Sequence, residues 1–417
     1  MARLFLITSE FGVLACLLLM AMMTIFQIHH YKTSVSHGEN HWEHFSWRTR
    51  NTSKQGHVRR HGIDINNYGE SKRHIAFLKV HKAASSTAQN IFLRYANRRD
   101  LVVVMPHVPK FFYPNIISTG STVTSKNILP PPANRSYEIL CCHVLYNREA
   151  FVKIMPIDTI YIGIIREPFE HFTSILNYFR PGEILNINDT MAVSKYLQEP
   201  SRYTKRTSNS YANNRMAREF GFPSDLFTTH NKTEVQLYLQ KLESEFELMI
   251  IVEQFDECMV LMRRLLNWKL SDILYIKKNV KHKLFEKIKF TAGDVNLYKR
   301  WAVLDYALYD HFYQRLQNQI RMQGPDFYDE LLYFKRMRHD MEFFCNPMLG
   351  AKGTTIHQFA ASRWNPAFVI TEKDCHYMHI GETAFIKEIR LKQYGFFNDR
   401  PGEDENNRTK AGNKTEE

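Results

Sequence analysis

A short apolar run, a polar turn and an amphipathic helix follow one another between residues 74 and 95, and this order restricts the fold more than any other feature. The run His74 to Val80 (HIAFLKV) has the length and composition of a buried strand. Beyond the turn, apolar residues recur at helical spacing at Ala88, Ile91, Phe92 and Tyr95. Ser86 and Gln89 are spaced as a capping box and predict the start of this helix. A strand followed at once by a helix indicates a parallel α/β sheet.

Further apolar runs predict the rest of that sheet. They span Leu101 to Met105, Glu138 to Val144 and Thr159 to Ile165, and they are too uniformly apolar for strands with one face in water. Helical patterns follow Pro168 and Phe255, and a third extends from Trp301 through Ile320 with a core-facing stripe at Trp301, Leu304, Leu308 and Phe312. We therefore predict an α/β fold in which helices flank a central parallel sheet.

The two ends of the chain differ from its middle. Residues 11–28 form an uncharged apolar run of 18 residues, near the lower limit for a helix that spans a bilayer. A cleaved signal peptide is the alternative, but its apolar stretch is usually shorter and ends at a small-x-small site. We expect a short cytosolic tail at 1–10, one transmembrane signal anchor at 11–28, a polar stem at 29–72, a folded lumenal domain at 73–395 and a polar tail at 396–417.

Glycosylation sequons indicate which side of the membrane the bulk of the chain occupies, since the charges that flank the anchor do not settle it. Asn-x-Ser/Thr, with no proline in the middle, occurs at Asn51, Asn134, Asn188, Asn231, Asn407 and Asn413. Any one of them could be a chance match, but all six lie downstream of the anchor. The set therefore favours exposure to the lumen of the secretory pathway.

Five cysteines follow the anchor, and their spacing does not resemble that of a metal site. An odd number leaves at least one thiol free or paired between chains. Cys345 and Cys375 are the expected disulfide, with two buried free thiols as the alternative. We expect no metal cofactor.

The turn after the first strand, Lys79 to Thr87 (KVHKAASST), has the composition of a phosphate cradle. Small residues let the backbone close around a phosphate, the helix N-terminus points amide hydrogens at it, and Lys82 adds a full charge. The candidate ligand-binding residues are Lys79, His81, Lys82, Ala83, Ala84, Ser85, Ser86 and Thr87. The Walker A pattern is absent, which disfavours an ATPase or kinase of that type. An ordinary helix start with an exposed lysine is the alternative.

A second candidate phosphate site follows the strand that ends near Ile165. Arg166 stands where α/β folds bind ligands, Pro168 suits a first helical turn, and Ser174 lies on the helix that follows. A lone arginine here is more often a surface ion-pair partner. Two candidate phosphate sites on one sheet, however, favour a ligand-binding role. The net charge of +12 also suits an anionic ligand. Because the basic residues are dispersed, nucleic acid is disfavoured.

The two motifs together resemble the 5′-phosphosulfate and 3′-phosphate loops of the Golgi galactose 3-O-sulfotransferase family, which includes galactosylceramide sulfotransferase. K-x-H-K-x-A-S-S-T after a strand, and I-x-R-E-P followed by N-Y-F, carry the resemblance. It continues through Tyr211 to Phe222, Ile251 to Trp268 and Trp301 to Phe312, and so covers most of residues 74–320. The family usually has Thr where this chain has Val80 and Ala83, and a second His at Cys142; these departures bear on the acceptor.

The resemblance implies a P-loop-like sulfotransferase fold and a single-pass type II protein of the Golgi membrane. The implied donor is 3′-phosphoadenosine 5′-phosphosulfate (PAPS), with Lys82, His81 and Ser85 to Thr87 around the phosphosulfate and Arg166 and Ser174 at the 3′ phosphate. The implied acceptor is the 3-OH of a terminal galactose on a glycolipid or glycoprotein. A glycosaminoglycan uronyl 2-O-sulfotransferase and a non-catalytic lumenal glycan-binding protein are the alternatives. The sequence does not fix the oligomeric state.

Transfer to a sugar hydroxyl requires a base, and histidine is the side chain best suited to that task. His143 is the first candidate because it ends the Glu138 to Val144 run and matches the catalytic histidine of the related uronyl 2-O-sulfotransferases. His81 is the second candidate. A structural histidine at a strand edge is the alternative for His143. Lys82 would neutralise charge on the departing phosphate, a role that needs no metal.

Overall fold

The computed structural model describes residues 70–107, 113–179, 184–185, 187, 189, 191–203, 211–277, 290–346 and 356–396. The predicted cytosolic tail and anchor, and almost all of the predicted stem and C-terminal tail, lie outside these residues. The same holds for four sequon asparagines, Asn51, Asn188, Asn407 and Asn413. Within the described part of the chain, no helix combines the length and the apolar character needed to cross a membrane.

Four parallel strands form the central sheet: β1 (Ile75–Leu78), β2 (Ile139–Leu140), β3 (Ile160–Ile165) and β4 (Leu248–Ile251). Their order across the sheet is β2-β1-β3-β4. Ile75 pairs with Ile139 on one side and Ile160 on the other, and Ile165 pairs with Ile251. Every residue of β1 and β4 is buried, as expected for parallel strands covered on both faces. The predicted α/β fold with a central parallel sheet is confirmed.

Helices connect the strands and cover the sheet. Those before β4 are α1 (Ser85–Arg99), α2 (Arg148–Val152), α3 (Pro168–Phe179), α4 (Ala192–Gln198), α5 (Pro200–Tyr203), α6 (Arg215–Glu219), α7 (Leu226–Thr229) and α8 (Lys232–Glu245). Those after β4 are α9 (Phe255–Leu266), α10 (Leu270–Ile273), α11 (Ala292–Trp301), α12 (Val303–Arg321), α13 (Asp326–Phe344), α14 (Glu372–His379) and α15 (Glu382–Tyr394). An antiparallel pair, β5 (Ile356–Phe359) and β6 (Phe368–Thr371), lies between α13 and α14 in the sequence.

The apolar face of α1 packs in the core as the sequence predicted. All four residues of the predicted stripe, Ala88, Ile91, Phe92 and Tyr95, are at most 1% exposed. The Phe92 ring lies 4.8 Å from that of Phe77 on β1, and Tyr95 stacks on Trp268 at 3.7 Å. Full burial of one large apolar side chain stabilises a fold by about 1.5–3 kcal/mol. These contacts fix β1 and α1 relative to each other, and therefore fix the two ends of the loop that joins them.

The extent of two predicted strands is wrong. Residues 101–105 are buried, but only Val103 forms an isolated bridge, to Ile139. The Gln393 amide takes both backbone groups of Val103, and the Glu138 carboxylate accepts the N–H of Val102. The carbonyl of Val102 and the N–H of Val104 do pair with the backbone of residues 138 and 139, and the Gln393 side chain takes the place of a further strand at Val103. The Glu138 to Val144 run shortens to β2, and β4 was not predicted from the sequence.

Two helix predictions also need correction. The capping box of Ser86 and Gln89 is wrong, because α1 has Ala84 as its N-cap and no side-chain cap. The Ser86 hydroxyl donates to Glu382, and the Gln89 amide donates to the carbonyl of Cys141, so both side chains bind other parts of the fold. The helix predicted from Trp301 through Ile320 is interrupted at Ala302. Its stripe is nevertheless core, since Leu304, Leu308 and Phe312 are fully buried.

A disulfide joins Cys345, at the end of α13, to Cys375 in α14. This is the pair that the sequence analysis favoured. Among the described residues, Cys141, Cys142 and Cys258 are buried free cysteines. The covalent bond ties the C-terminal helices α14 and α15 to the end of the long helix α13.

Candidate functional site

The loop between β1 and α1 has an unusual backbone. Lys82 and Ala84 both have positive φ angles, 58° and 51°, in the left-handed region. Holding a residue other than glycine there costs on the order of 1–3 kcal/mol, and such conformations cluster at ligand-binding loops. Alternation of left- and right-handed residues turns successive amide hydrogens into a concavity that binds anions. Because α1 lacks a side-chain cap, its first amides also face this loop without a competing side-chain acceptor from the cap residue.

Two basic side chains come together at the carboxyl edge of the sheet. Lys82 follows β1, and its Nζ lies 3.8 Å from the centre of the Tyr178 ring. Burial lowers the pKa of Lys82, Glu382 raises it, and the nearby charges of Arg166 and Lys79 lower it further. Arg166 follows β3, donates to Glu170 at 3.0 Å, and has a buried Nε with no hydrogen-bond partner among the described residues. The two loops predicted to bind phosphate are thus close enough for their charges to interact.

The remaining residues of the predicted cradle have distinct environments. Ser85 donates its hydroxyl hydrogen to the carbonyl of Val80, so it braces the loop. Ala83 and Thr87 are buried, while Ser86 is half-buried. Ser174 is half-buried on α3, the helix that begins two residues after Arg166.

A carboxylate that the sequence analysis did not predict binds the same loop. Glu382, the first residue of α15, accepts from Lys79 Nζ at 3.0 Å and from Ser86 Oγ at 2.5 Å through Oε2. Its Oε1 accepts from Asn115 Nδ2 at 2.8 Å. Burial would raise the pKa of Glu382, but Lys79 and these hydrogen bonds lower it below its usual value. An ionised carboxylate therefore occupies two of the groups predicted to bind the phosphosulfate.

His81 is bound on three sides. Its Nδ1 lies 2.6 Å from Glu219 Oε1, its backbone N–H donates to Glu219 Oε2 at 2.9 Å, and its carbonyl accepts from His171 Nε2 at 2.7 Å. Arg215 donates through Nε to the same Glu219 carboxylate and stacks its guanidinium on Tyr211 at 4.0 Å. Burial would raise the pKa of Glu219, but Arg215 and His81 lower it to about 2. The carboxylate that contacts the His81 ring is therefore ionised.

His143 stacks on His81, with ring centroids 3.8 Å apart. Its Nδ1 lies 2.9 Å from the carbonyl oxygen of Lys79, which can only accept, so Nδ1 carries the proton in the neutral ring. Burial lowers the pKa of His143 well below its usual value, and the charges of His81 and Lys79 lower it further. His143 is therefore a neutral imidazole.

Helix α6, which carries Arg215 and Glu219, is fixed by reciprocal contacts with α12. Asn214 Oδ1 accepts the backbone N–H groups of Leu304 and Asp305, and Asp305 Oδ1 accepts that of Ala217 at 2.7 Å. Burial raises the pKa of Asp305 to about 7 despite its backbone hydrogen bonds. The contacts join two of the sequence stretches, 211–222 and 301–312, that carried the family resemblance. Together, these contacts hold α6 so that Glu219 lies against the loop between β1 and α1.

Ligand atoms of His81, His143 and Glu219 lie within 4.8 Å of one another, a spacing that a metal ion can use. Arg215 opposes a cation there, because it already donates to Glu219 and its Nη2 lies 3.4 Å from His81 Nδ1. The carboxylate is thus already neutralised by the protein itself. We interpret the cluster as a hydrogen-bonded network of His81, Glu219 and Arg215 on which His143 stacks. That the protein uses no metal cofactor stays a prediction.

Two of the predicted glycosylation sites fall within the described residues, and both are exposed. Asn134 lies on an exposed turn with φ of 61°, and Asn231 is the N-cap of α8, accepting from the N–H of Thr233 at 3.1 Å through Oδ1. Capping leaves the Asn231 side-chain nitrogen available, since only the oxygen is used. Both positions are compatible with an attached glycan.

The residues that the sequence analysis missed are Arg215, Glu219 and Glu382. Arg215 and Glu219 stood inside a stretch that resembled the family, but nothing in their spacing connected them to His81. Glu382 is 296 positions beyond Ser86, and no local pattern marks it. Only the three-dimensional fold brings these side chains to the loop.

Fold and site together define an α/β protein with a left-handed loop and two basic side chains at the carboxyl edge of a parallel sheet. Comparison with known families makes this class specific. The galactose-3-O-sulfotransferase profile matches residues 7–368, and the chain belongs to this family. Helices α14 and α15, including Glu382, lie beyond the matched residues.

Individual relatives show the same similarity. Galactose-3-O-sulfotransferase 3 of Mus musculus is 30% identical over 256 residues, which are 60% of this chain and 58% of that protein. Galactose-3-O-sulfotransferase 2 of Sus scrofa is 30% identical over 257 residues, 60% of this chain and 63% of that protein. Galactosylceramide sulfotransferase of Mus musculus is 28% identical over 311 residues, 71% of this chain and 70% of that protein. The match to the first two spans less than two thirds of their length.

Proposed function

We propose that this chain transfers a sulfuryl group from PAPS to the 3-OH of a terminal galactose on a glycolipid or glycoprotein. The observation that carries the proposal is the left-handed loop at Lys82 and Ala84, with Arg166 beside it, in a member of this family. An anionic donor with two separated phosphate groups fits two basic loops on one sheet edge. The names of the relatives, which include galactose and galactosylceramide, support the acceptor class.

The donor phosphosulfate would bind the loop amides and Lys82, while Arg166 and Ser174 would bind the 3′ phosphate. In the reaction, the acceptor oxygen forms a bond to sulfur while the bond from sulfur to the phosphate oxygen breaks. The hydroxyl proton passes to a histidine of the stacked pair, His81 and His143. Lys82 stabilises the negative charge that grows on the departing phosphate, and 3′-phosphoadenosine 5′-phosphate leaves.

Donor binding can be tested by isothermal titration with 3′-phosphoadenosine 5′-phosphate. Arg166→Ala should weaken binding, because one charge-assisted contact to phosphate contributes about 1.5–3 kcal/mol. Arg202→Ala is the matched control, since Arg202 is an exposed arginine on α5 that pairs with Glu199. Unchanged affinity in Arg166→Ala would remove Arg166 from the site. Failure of the unmodified protein to bind the nucleotide would favour the non-catalytic glycan-binding alternative.

Acceptor choice can be tested with labelled PAPS and a panel of glycolipids, N-glycans, O-glycans and uronyl-containing glycosaminoglycans. Linkage analysis of the product should place sulfate on the 3-OH of galactose. Sulfate at the 2-OH of a uronyl residue would instead support the glycosaminoglycan alternative, with which the net charge of +12 is compatible.

We also propose that the protein is a single-pass type II protein of the Golgi membrane, with its folded domain in the lumen. The apolar run at 11–28, the downstream sequons and the exposed positions of Asn134 and Asn231 support this arrangement. Endoglycosidase treatment of the protein from secretory-pathway cells should increase its mobility on a gel. An unshifted band would contradict the lumenal orientation.

A further inference from the structure

We propose that Glu219, with Arg215 behind it, positions His81 as the general base of the transfer. The inference rests on the proposed function and assigns a role to two residues that neither motif contains. It also exchanges the roles of His81 and His143 that the sequence analysis favoured. The reason lies in what each imidazole contacts at its Nδ1.

Glu219 binds His81 with both carboxylate oxygens. Oε1 contacts the ring at Nδ1, at 2.6 Å, and Oε2 accepts the backbone N–H of the same residue at 2.9 Å. The Glu219 side chain is only 2% exposed. One rigid carboxylate therefore fixes both the position of the loop backbone and the orientation of the ring.

The charge of Glu219 fixes the tautomer of His81. Arg215 donates to Oε1 from a side chain that is also 2% exposed, so the carboxylate is ionised and can only accept. The His81 proton must then reside on Nδ1 in the neutral ring, and the lone pair of Nε2 is left to accept a proton. When Nε2 accepts a proton from the acceptor hydroxyl, the carboxylate stabilises the imidazolium that forms.

His143 lacks this support. Its Nδ1 contacts an uncharged carbonyl, that of Lys79, and its ring is buried against His81. A positive charge on His143 would face the ammonium of Lys79 and any charge on His81. The stacked pair thus contains one imidazole in direct contact with an ionised carboxylate, which Arg215 also binds, and one imidazole in contact with a carbonyl only.

The groups that face His81 come from several elements of the fold. They are Glu219 and Arg215 on α6, the stacked His143, the edge of the Tyr211 ring, and His171 on α3, which donates to the His81 carbonyl. Burial lowers the pKa of His171 to about 4, so that ring is neutral. Glu219 is the one carboxylate in direct contact with the His81 ring among the described residues.

The principal test is Glu219→Gln. We expect kcat to fall about 10²-fold, while the Kd for 3′-phosphoadenosine 5′-phosphate changes by less than about threefold. Loss of the carboxylate destabilises the imidazolium, so the acidic limb of the kcat profile should shift to lower pH. A purely structural role would lower activity without that shift. Glu330→Gln is the matched control, because Glu330 is also a buried carboxylate bound by arginines, Arg263 and Arg264, but lies on α13.

The double variant His81→Ala/Glu219→Gln tests whether Glu219 acts by positioning His81 or whether its loss disturbs the protein as a whole. If Glu219 acts through His81, the second substitution should add less than about threefold to the loss in kcat caused by the first. Multiplied losses would overturn the proposal. Normal nucleotide binding with unchanged kcat in Glu219→Gln would also overturn it, whereas absent nucleotide binding in the unmodified protein would overturn the proposed function.

A measurement on the unmodified protein covers the case in which Glu219→Gln does not fold. Nitrogen-15 NMR of histidine-labelled protein, assigned with the His81→Ala spectrum, should show that the neutral form of the His81 ring carries its proton on Nδ1 and not on Nε2. The opposite tautomer would place the proton where the base must accept one, and would exclude this role for His81.

Discussion

Two carboxylates bind the loop between β1 and α1, and they differ in how firmly the protein holds them. Glu219 is 2% exposed, is bound by Arg215 and lies on a helix whose start is pinned to α12. Glu382 is 31% exposed and contacts Lys79, Ser86 and Asn115 from the first turn of α15. The first carboxylate is part of the machinery that orients His81. The second occupies Lys79 and Ser86, which we predict to bind the phosphosulfate, so it should be displaced when the nucleotide binds.

The largest expected effect concerns the histidine that Glu219 supports. His81→Ala should lower turnover by about 10²- to 10⁴-fold, the usual range for a positioned acid-base group. His143→Ala should lower turnover by less than about tenfold, because its Nδ1 is bound only to a carbonyl. Turnover and nucleotide affinity should be measured for both variants. If His143→Ala abolishes turnover with intact nucleotide binding while His81→Ala remains active, the assignment from the sequence was correct.

An intermediate effect is expected at Glu382. Glu382→Gln removes the negative charge that competes with phosphate for Lys79 and Ser86, so affinity for 3′-phosphoadenosine 5′-phosphate should rise about tenfold, or about 1.4 kcal/mol. Calorimetric titration measures this directly. Glu388→Gln is the control on the same helix, since Glu388 contacts Tyr377. Weaker binding in Glu382→Gln would mean that the carboxylate builds the site rather than blocking it.

The smallest effect concerns the support of α6. The pKa of Asp305 is raised to about 7, so its contribution to stability is fully present below the unfolded pKa of about 4 and is lost as the pH rises through 7. Asp305→Asn keeps the oxygen that accepts from Ala217 and removes the titration. The midpoint of thermal unfolding should therefore fall less between pH 5 and 8 in the variant than in the unmodified protein, by a few degrees. Equal slopes in the two proteins would show that Asp305 does not titrate in this range.

The two carboxylates also mark how far the sequence could predict the site. Lys82 and Arg166 were predictable because each lies in the loop after a buried strand, and parallel strands bring their carboxyl ends to one edge. Glu219 and Glu382 could not be predicted as site residues, because their contacts with the loop span 138 and 303 positions in the sequence and depend on how the helices pack.

The errors in the fold have a similar origin. The run at 101–105 is as apolar as a strand, but the side chains of Glu138 and Gln393 bind the N–H of Val102 and both backbone groups of Val103, so few of its hydrogen bonds go to the neighbouring strand. Ser86 and Gln89 have capping-box spacing, yet their partners Glu382 and Cys141 come from distant parts of the chain. Local patterns predict local structure well until a distant side chain offers a better partner.

The disulfide between Cys345 and Cys375 adds a covalent restraint on the Glu382 carboxylate to the packing of the buried residues Phe385 and Ile386 of α15. Glu382 begins the helix that follows the one containing Cys375. The closed bond therefore connects Glu382 to the end of α13 through a short segment of chain. If the bond were opened, Glu382 would be connected to α13 only through the whole segment from Cys345 onward. The local concentration of the carboxylate at the loop would then fall. An oxidising compartment thereby keeps this internal competitor within reach of Lys79 and Ser86, and a reducing agent should favour the nucleotide.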